Sequence, residues 1–226
     1  MRSLLSRGKR LLEKERKRLR QLFRPILIEI NTRLGIPIRF HSPGRVVLEN
    51  TILPYYANSK HGARVLFVGC DWYTAHYRKI FKNSEYWTID PNPAQKRYGS
   101  KHHIVGSIEN LKDHFEPEFF DVILCNGVLG FGLNQLEAAE RAFNNCFTCL
   151  QRGGDFMLGR DEVEMLVPFS IEDMESLRKF VPFVFPPLKT ARYTLRPGFN
   201  YLFCFFVKPL KDVGKMERSF RRANLT

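Results

Sequence analysis

Long apolar runs are missing from this 226-residue sequence, and their absence restricts the classes of protein it can represent. No stretch approaches the roughly 20 apolar residues that cross a bilayer as a helix, and the first residues lack the apolar core of a secretory signal. Cysteine is also scarce, with five residues in mostly apolar surroundings. An odd number of cysteines without an export signal indicates reduced, packed thiols. We therefore expect a cytoplasmic protein.

Familiar metal-binding and catalytic signatures are absent as well. The sequence contains no G-x-S-x-G, H-E-x-x-H or G-x-x-x-x-G-K-[ST] motif. Cys146 and Cys149 form a C-x-x-C pair, but no second pair accompanies them, and their spacing suits two thiols on one buried helical face. His102 and His103 have no carboxylate or thiol partners at ligand spacing. The sequence therefore predicts no metal site.

Acidic residues are too few to balance the basic ones, and the excess of positive charge lies at the two ends of the chain. The formal net charge is +13, of which residues 1–24 carry +8 and residues 208–226 carry +4. Residues 25–207 are almost neutral, with 20 basic and 19 acidic side chains. Nucleic-acid-binding domains concentrate positive charge on their folded surface. This distribution disfavours nucleic acid as a partner of the core and assigns polyanion contacts to the termini.

The first basic segment has the pattern of an amphipathic helix. Within residues 2–24, Leu and Phe recur at helical spacing with Arg and Lys opposite them, and Pro25 ends or kinks the helix. Such a helix suits an anionic membrane surface, another polyanion such as RNA, or a protein partner; it suits equally an arm packed on its own domain. Lipid binding would place the protein peripherally at a membrane. We divide the chain into a basic arm, a connecting or lid region, a main domain and a basic tail, at residues 1–25, 26–61, 62–208 and 209–226.

From residue 64 onwards, short buried strands alternate with helical stretches. Strands are predicted at residues 64–68, 86–89, 103–105, 119–125, 155–158 and 201–207. Helices are predicted at residues 74–81, 136–150 and 171–180. This alternation predicts right-handed βαβ units and a parallel sheet covered on both faces. The preceding segment HSPGRVVLENTILPYY is expected to form a short strand or a lid over a site.

Ligands of such sheets bind beyond the carboxyl ends of the strands, so the residues that follow each strand are the candidates. Gly69 follows the first strand, and Asp90 follows the second strand 21 residues later. A carboxylate at this distance can accept both hydroxyls of an adenosine ribose; alternatively, it caps backbone amides of a turn. No second or third glycine follows Gly69, so Trp72 and Tyr73 would obstruct the pyrophosphate of a dinucleotide. An adenosyl ligand without phosphates fits better.

Five segments resemble, in order and spacing, successive motifs of the class I S-adenosylmethionine-dependent methyltransferases. They are VLFVGC, YWTIDPNP, HHIVGSI, FFDVILCNGVLGFGLN and CFTCLQRGGDFMLG, and the likeness covers roughly residues 62–207. The resemblance implies a Rossmann-like α/β sandwich with a mostly parallel seven-stranded sheet and an antiparallel last strand. It also implies S-adenosyl-L-methionine as cofactor. The glycine-rich motif is degenerate, because the family usually has an acid at Phe67, glycines at Asp71 and Tyr73, and often an aspartate at Ser107.

The resemblance also implies which residues bind the cofactor. Gly69 would let the backbone approach the cofactor, and Asp90 would bond the ribose diol. Ser107 would lie at the adenine edge, and Asp71 is conjectured to replace the acid missing at Phe67. The complete set of positions is Gly69, Cys70, Asp71, Asp90, Ser107, Ile108, Asn126, Gly127 and Val128.

The sequence singles out no catalytic residue and leaves two functions open. Methyl transfer from a sulfonium is an in-line displacement, so a base is needed only for a poor nucleophile. The candidates are His76, Tyr73, Asp161 and Glu162. The neutral core favours a small-molecule acceptor, for example a sugar or a lipid-linked glycan. The alternative is a catalytically silent methyltransferase fold, tethered to membrane or RNA by its basic ends.

Overall fold

The computed structural model describes residues 25–34, 36–37, 42–59, 62–161, 168–195 and 200–210, and one sheet of eight strands organises them. The strands are β1 (Arg64–Val68), β2 (Glu85–Asp90), β3 (His102–Val105), β4 (Phe120–Asn126), β5 (Leu150–Asp161), β6 (Val181–Pro182), β7 (Arg192–Thr194) and β8 (Tyr201–Val207). Their order across the sheet is β3-β2-β1-β4-β5-β8-β6, and β7 also pairs with β8. This is the Rossmann-like α/β arrangement that the sequence predicts.

The sheet is parallel over its first five strands and antiparallel beyond them. Neighbouring pairs from β3 to β5 run parallel, whereas β8 runs antiparallel to β5 along seven residue pairs. The expected seven strands become eight because two short strands share the outer edge of β8: Val181 and Pro182 pair near its end, and residues 192–194 pair nearer its start. Strands of two and three residues are too short to produce a readable alternation in the sequence.

The helices are α1 (residues 25–34), α2 (Pro43–Val47), α3 (Leu53–Ser59), α4 (Tyr77–Ile80), α5 (Leu136–Cys149) and α6 (Glu175–Arg178). A π-helical segment, Leu48–Ile52, joins α2 to α3, and 3₁₀ turns lie at Pro93–Tyr98, Ile108–Asp113 and Ile171–Asp173. No helix in these described ranges is long and apolar enough to cross a membrane. The helix predicted over residues 2–24 lies outside the described residues.

The expectation of a short strand within residues 41–56 is wrong, because the described part of that segment is helical. Ser42 Oγ accepts a hydrogen bond from the Arg45 N–H at 3.4 Å, and Pro43 occupies the first turn. Serine as the N-cap followed by proline is a favourable helix start. The apolar side chains of this helical segment then pack into the core; they include Leu48, Ile52, Leu53, Tyr56 and Ala57.

The core lies on both faces of the sheet, because successive residues of a strand point to opposite sides. In β1, Leu66 and Val68 pack in the cluster that contains the buried face of α5. Val65 and Phe67 pack in the second cluster, with the residues of α2, α3 and the segment between them. A β1 strand that is buried on both sides explains why its sequence is continuously apolar. All five cysteines are buried and unpaired, in agreement with the prediction of reduced thiols.

Three predicted elements differ in extent from the structure. The segment 74–81 is mostly turn and contains only the short helix α4, and residues 171–180 divide into a 3₁₀ turn and α6. Strand β5 is longer than expected and begins directly after α5, although Gly153 and Gly154 lie within it. Gly153 has a φ of +74°, and the pairing of β4 with β5 is irregular between Phe120 and Val122. The glycines therefore accommodate an irregularity inside the strand rather than a separate loop.

Candidate cofactor and active site

A cavity of about 1020 Å³ opens where β1, β2 and β4 end. Ligand pockets generally measure about 300–1,000 Å³, so this cavity has room for an adenosyl ligand and a small second molecule. Parallel strands end at the same edge of a sheet, and this brings together residues that are far apart in the sequence. Every predicted cofactor position lines the cavity: Gly69, Cys70, Asp71, Asp90, Ser107, Ile108, Asn126, Gly127 and Val128.

Gly69 and Asp90 form the centre of the cavity. Gly69 has a φ of +84°, and a Cβ added there would meet no atom within 4 Å, so its backbone borders open space. The two oxygens of Asp90 accept hydrogen bonds from the Cys70 and Asn92 N–H groups, each at 2.8 Å. Asp90 therefore does cap backbone N–H groups, as one of the two sequence-based interpretations predicts. Because each carboxylate oxygen has a second lone pair, the fixed carboxylate can still accept both hydroxyls of a ribose.

The loop after Gly69 is held by side chains where related motifs have glycines. Asp71 Oδ1 accepts from the Trp72 N–H at 2.7 Å, and the Asp71 N–H donates to Thr74 Oγ1 at 3.0 Å. Asp71 and Tyr73 both line the wall of the cavity. Phe67 is buried and meets the Tyr77 ring edge-on, with centroids 5.2 Å apart. Phe67, packed on Tyr77, therefore occupies the position at which the resembled family usually has an acid.

A polar network of Arg45, Glu49 and Tyr77 borders the cavity next to Tyr73. The Arg45 guanidinium donates to the Tyr77 hydroxyl at 2.7 Å and to Glu49 Oε1 at 3.2 Å. The Tyr77 hydroxyl in turn donates to Glu49 at 2.9 Å. Arg45 also lies 3.9 Å above the Tyr73 ring and lines the cavity. The partly buried Arg45 cation, which is paired with Glu49 and partly covered by the Tyr73 ring, therefore faces the ligand space.

A second polar group lines the cavity beside the helix that carries Arg45, because the Tyr201 ring lies directly against Gly44. The Tyr201 hydroxyl donates to Asn126 Oδ1 at 2.9 Å, which fixes the Asn126 amide at the end of β4. Asp161, at the end of β5, lines the same wall. Burial raises the pKa of the Asp161 carboxyl, and burial together with the nearby Asp161 charge raises the pKa of Tyr201. A raised pKa makes Asp161 a better proton acceptor than an exposed carboxylate.

Most of the charged residues in the described lining of the cavity are acidic. Arg45 contributes the one positive charge, against the carboxylates of Asp71, Asp90, Glu109 and Asp161. Ile108, after β3, and Val128 and Leu133, after β4, form an apolar part of the lining that suits an aromatic ring. The Ser107 hydroxyl already accepts from the Glu109 N–H at 3.2 Å as the cap of a 3₁₀ turn.

Comparisons with known proteins agree with this geometry. A family model described as a methyltransferase domain matches residues 66–158. The N-methyltransferase NodS from Bradyrhizobium japonicum, in complex with S-adenosyl-L-homocysteine, has a similar structure, with a TM-score of 0.56 and 18% identity over 74% of this chain and 89% of NodS. Residues 66–158 thus match a methyltransferase domain, and the chain has the fold of the class I S-adenosylmethionine-dependent methyltransferases.

Other similar structures show how widely this methyltransferase fold is shared. A TehB-like SAM-dependent methyltransferase from Corynebacterium glutamicum has a TM-score of 0.53 and 19% identity, over 87% of this chain and 97% of that protein. The T. thermophilus 16S rRNA methyltransferase RsmC, in complex with AdoMet and guanosine, has a TM-score of 0.51 and 12% identity, over 76% of this chain and 40% of RsmC. A search of curated proteins found no match. Identities this low establish the fold and leave the acceptor of the methyltransferase open.

The cavity fits S-adenosyl-L-methionine, the cofactor that the sequence resemblance implies. Gly69 opens the backbone to the ligand, the fixed Asp90 carboxylate can bind a ribose diol, and the apolar lining at Ile108, Val128 and Leu133 can hold adenine. The nine cofactor positions predicted from the sequence lie together along the cavity; the role of each remains a prediction.

The catalytic candidates are distributed unevenly around the methyltransferase cavity. Tyr73 and Asp161 line it, and burial raises the pKa of Tyr73 while Arg45 opposes that shift. His76 is not among the lining residues; it is buried, its Nε2 lies 3.9 Å from Glu49, and burial lowers its pKa. Its position favours a structural role. Glu162 lies outside the described residues.

Sequence reasoning misses Arg45 and Tyr201 as members of the methyltransferase site. Arg45 belongs to a segment in which the sequence shows no chemistry, and its contact with Tyr77 spans 32 residues. Tyr201 is the first residue of β8 and is recognisable only as part of an aromatic strand. The Ser-Pro pair at residues 42–43 was the available signal for the helix that carries Arg45. No local signal indicates where that helix packs.

Proposed function

We propose that this methyltransferase acts on a small acceptor that is neutral or cationic and that presents an amine or hydroxyl nucleophile. The observation that carries the proposal is the charge of the cavity, where four carboxylates face one arginine in its described lining. Phosphates of a nucleic-acid acceptor would enter against this negative charge, and the Coulomb repulsion would oppose binding. A neutral or positively charged molecule meets no such barrier.

The cofactor half of the cavity has separate groups for separate parts of S-adenosyl-L-methionine. Asp90 binds the ribose hydroxyls, and the apolar lining at Ile108, Val128 and Leu133 receives adenine. The Arg45 guanidinium is the group suited to the methionine carboxylate, and Asp71 is suited to its ammonium, because each offers the opposite charge. When bound, the cofactor supplies a sulfonium methyl group for in-line displacement.

The acceptor half comprises Asn126, Asp161 and Tyr201. The hydrogen bond from Tyr201 holds Oδ1 of Asn126 and leaves the amide N–H groups of that side chain to orient a nucleophile. Asp161 accepts the proton that an amine or hydroxyl loses on methylation, and its raised pKa favours that role. The finer expectation of a sugar or lipid-linked glycan stays a prediction.

Calorimetric titration of the full chain with S-adenosyl-L-methionine tests the cofactor half. We expect saturable binding to the wild type and at least about tenfold weaker binding to Asp90→Ala, because hydrogen bonds to a charged group contribute about 1.5–3 kcal/mol. Asp173→Ala is the matched control, since Asp173 is an exposed aspartate on a 3₁₀ turn. Undetectable binding, or equal binding by Asp90→Ala and the wild type, would contradict the proposal.

The acceptor half is tested by release of S-adenosyl-L-homocysteine with panels of small amines, hydroxyl compounds and RNA. We expect turnover with a neutral or cationic small molecule and none with RNA. Turnover of RNA alone would refute the proposed acceptor class while leaving the cofactor assignment intact. Cofactor binding without turnover of any acceptor would support the catalytically silent alternative.

A further inference from the structure

Helix α1 carries apolar side chains on its outer side. Ile26, Leu27, Ile30 and Leu34 are 54%, 56%, 47% and 58% exposed. At 3.6 residues per turn these four positions fall within an arc of about 100°, so they form one continuous stripe, which we call the α1 stripe. On the inner side of the helix, Ile28 packs against the cluster of Cys70, Ala75 and Tyr98.

The α1 stripe is more than a set of scattered surface residues. Single exposed hydrophobic side chains are common, whereas a contiguous apolar patch indicates an interaction surface. Ile36, two residues beyond the helix, is 45% exposed and extends the apolar character. No described residue buries this stripe, although α1 is anchored to the domain through its other side.

A basic cleft of about 380 Å³ lies beside the α1 stripe. Four cations line it, namely Arg33, Arg78, Lys79 and Arg97, together with a single acid, Glu29. Glu29 is already paired with Arg33 at 3.0 Å. Leu34 belongs to both the cleft and the stripe, so the apolar and the basic surfaces are continuous.

A buried hydroxyl in the basic cleft lacks a partner. Thr32 is 5% exposed, and its Oγ1 has no hydrogen bond among the described residues. Arg78 and Lys79 donate to the carbonyl oxygens of Thr32 and Leu34 and so border the same space. Buried polar groups nearly always have a hydrogen-bonding partner. A hydroxyl and several cations around one cleft therefore indicate an anionic ligand group.

We propose that an anionic lipid surface docks on this face of the domain. The α1 stripe enters the boundary between headgroups and acyl chains, and lipid phosphates meet the basic cleft. Exposed aliphatic side chains beside Lys and Arg are the composition of a helix that lies in a membrane interface. Single-stranded nucleic acid, in contrast, is usually bound by aromatic side chains that stack on its bases, and the stripe has none.

The sequence that precedes α1 is consistent with the same partner. Residues 1–24 carry a net charge of +8 and lead directly into the helix. An anionic membrane would attract this segment as well as the cleft, and both attractions would fall with salt. The proposal is independent of the acceptor of the methyltransferase, because the cleft and the stripe share no residue with the cofactor cavity.

The test is co-sedimentation of the full chain with vesicles of phosphatidylcholine mixed with phosphatidylserine, and with vesicles of phosphatidylcholine alone. We expect binding to the anionic vesicles that weakens with salt. The double variant Ile26→Ser/Ile30→Ser should bind at least about tenfold more weakly, because two aliphatic side chains lose their insertion. The double variant Arg33→Gln/Arg97→Gln should bind about 30-fold more weakly, because each basic residue near an anionic surface contributes about 1 kcal/mol.

Matched controls separate this face from general surface effects. Val181→Ser/Val184→Ser removes two exposed aliphatic side chains at the β6 edge of the sheet, and Lys112→Gln/Lys189→Gln removes two exposed cations elsewhere. Both controls should sediment like the wild type. Thermal unfolding and cofactor titration should be unchanged in every variant, so that a folding defect is recognised.

Three outcomes would overturn the proposal. The first is an absence of binding to anionic vesicles. The second is wild-type binding by the stripe variant, which would mean that residues 1–24 bind lipid alone or cover the stripe themselves. The third is binding to an RNA oligonucleotide, in a mobility-shift assay, that the cleft variant abolishes while vesicle binding persists.

Discussion

Replacing Gly159 by alanine would test whether the acceptor wall depends on the packing of one strand against another. A Cβ at Gly159 would overlap Asn126 Oδ1 and lie 3.1 Å from both Asn126 Cγ and Phe203 Cε1. Unstrained carbon contacts are about 3.5–4.0 Å, so the amide must move by on the order of 1 Å. That movement breaks the bond from the Tyr201 hydroxyl, which is 2.9 Å long.

We expect Gly159→Ala to lower the free energy of unfolding by about 1–3 kcal/mol, the usual cost of overfilling a packed core. Turnover should fall by about 100-fold, because a 1 Å misplacement near the reacting atoms costs that much. Urea denaturation measures the first effect and S-adenosyl-L-homocysteine release the second. Gly132→Ala is the matched control: its Cβ would lie 3.9 Å from the nearest atom, and it also lines the cavity.

A double-mutant cycle makes the reasoning refutable without knowledge of the acceptor. Asn126→Ala removes the obstructing amide, so Gly159→Ala should cost less stability in that background. The interaction energy between the two sites should be about 1–3 kcal/mol, as for residues in direct contact. If the two substitutions are additive, Gly159 does not act through Asn126, and the account of this wall is wrong.

Two further predictions concern titrating carboxylates. Burial raises the pKa of Asp161, so the folded state loses stability as the pH rises through that pKa. Asp161→Asn removes this penalty and should raise the unfolding midpoint at neutral pH. The same variant should lower turnover about 100-fold, because it removes the proton acceptor. Hydrogen bonds from Ser170 and Arg192 hold the pKa of Glu172 at about 2. Ionised Glu172 therefore stabilises the folded state fully above pH 4.5, the ordinary pKa of a glutamate, and this stabilisation disappears as the pH falls towards 2. Glu172→Gln should lower the unfolding midpoint slightly at neutral pH and match the wild type near pH 2, with the exposed Glu116→Gln as control. Equal midpoints of the Glu172 variant and the wild type at neutral pH would contradict this.

The elements that the sequence predicts best are those long enough to show a continuous apolar run or a repeated apolar period. Strand β8 has the predicted bounds, residues 201–207, because a continuous run of apolar and aromatic residues can pack only inside the sheet. Helix α5 begins where its apolar period begins, and its apolar face packs as expected. Elements of two to four residues, such as β6 and α4, are too short for either periodicity to appear.

The residues of the candidate site likewise fall into a group that the sequence predicts and a group that it does not. Gly69, Asp90 and Gly127 follow strands, so their meeting at one edge is predictable once the strands are parallel. Arg45 and Tyr201 reach the cavity from elements whose placement depends on contacts between distant parts of the chain. Their contribution could not be predicted, because local sequence carries no information about which distant helix or strand covers an edge.

By itself, the sequence determined the parallel strands that end at the cofactor edge, the single-glycine turn and the near-neutral charge of residues 25–207, since these follow from local pattern and composition. The tertiary structure alone decided three further features. It brought Arg45 and Glu49 to the turn after β1, gathered four carboxylates around one cavity, and turned one apolar side of α1 outward beside a basic cleft. Charge and exposure at a site are sums over residues from many segments, so they exist only after packing has assembled those segments.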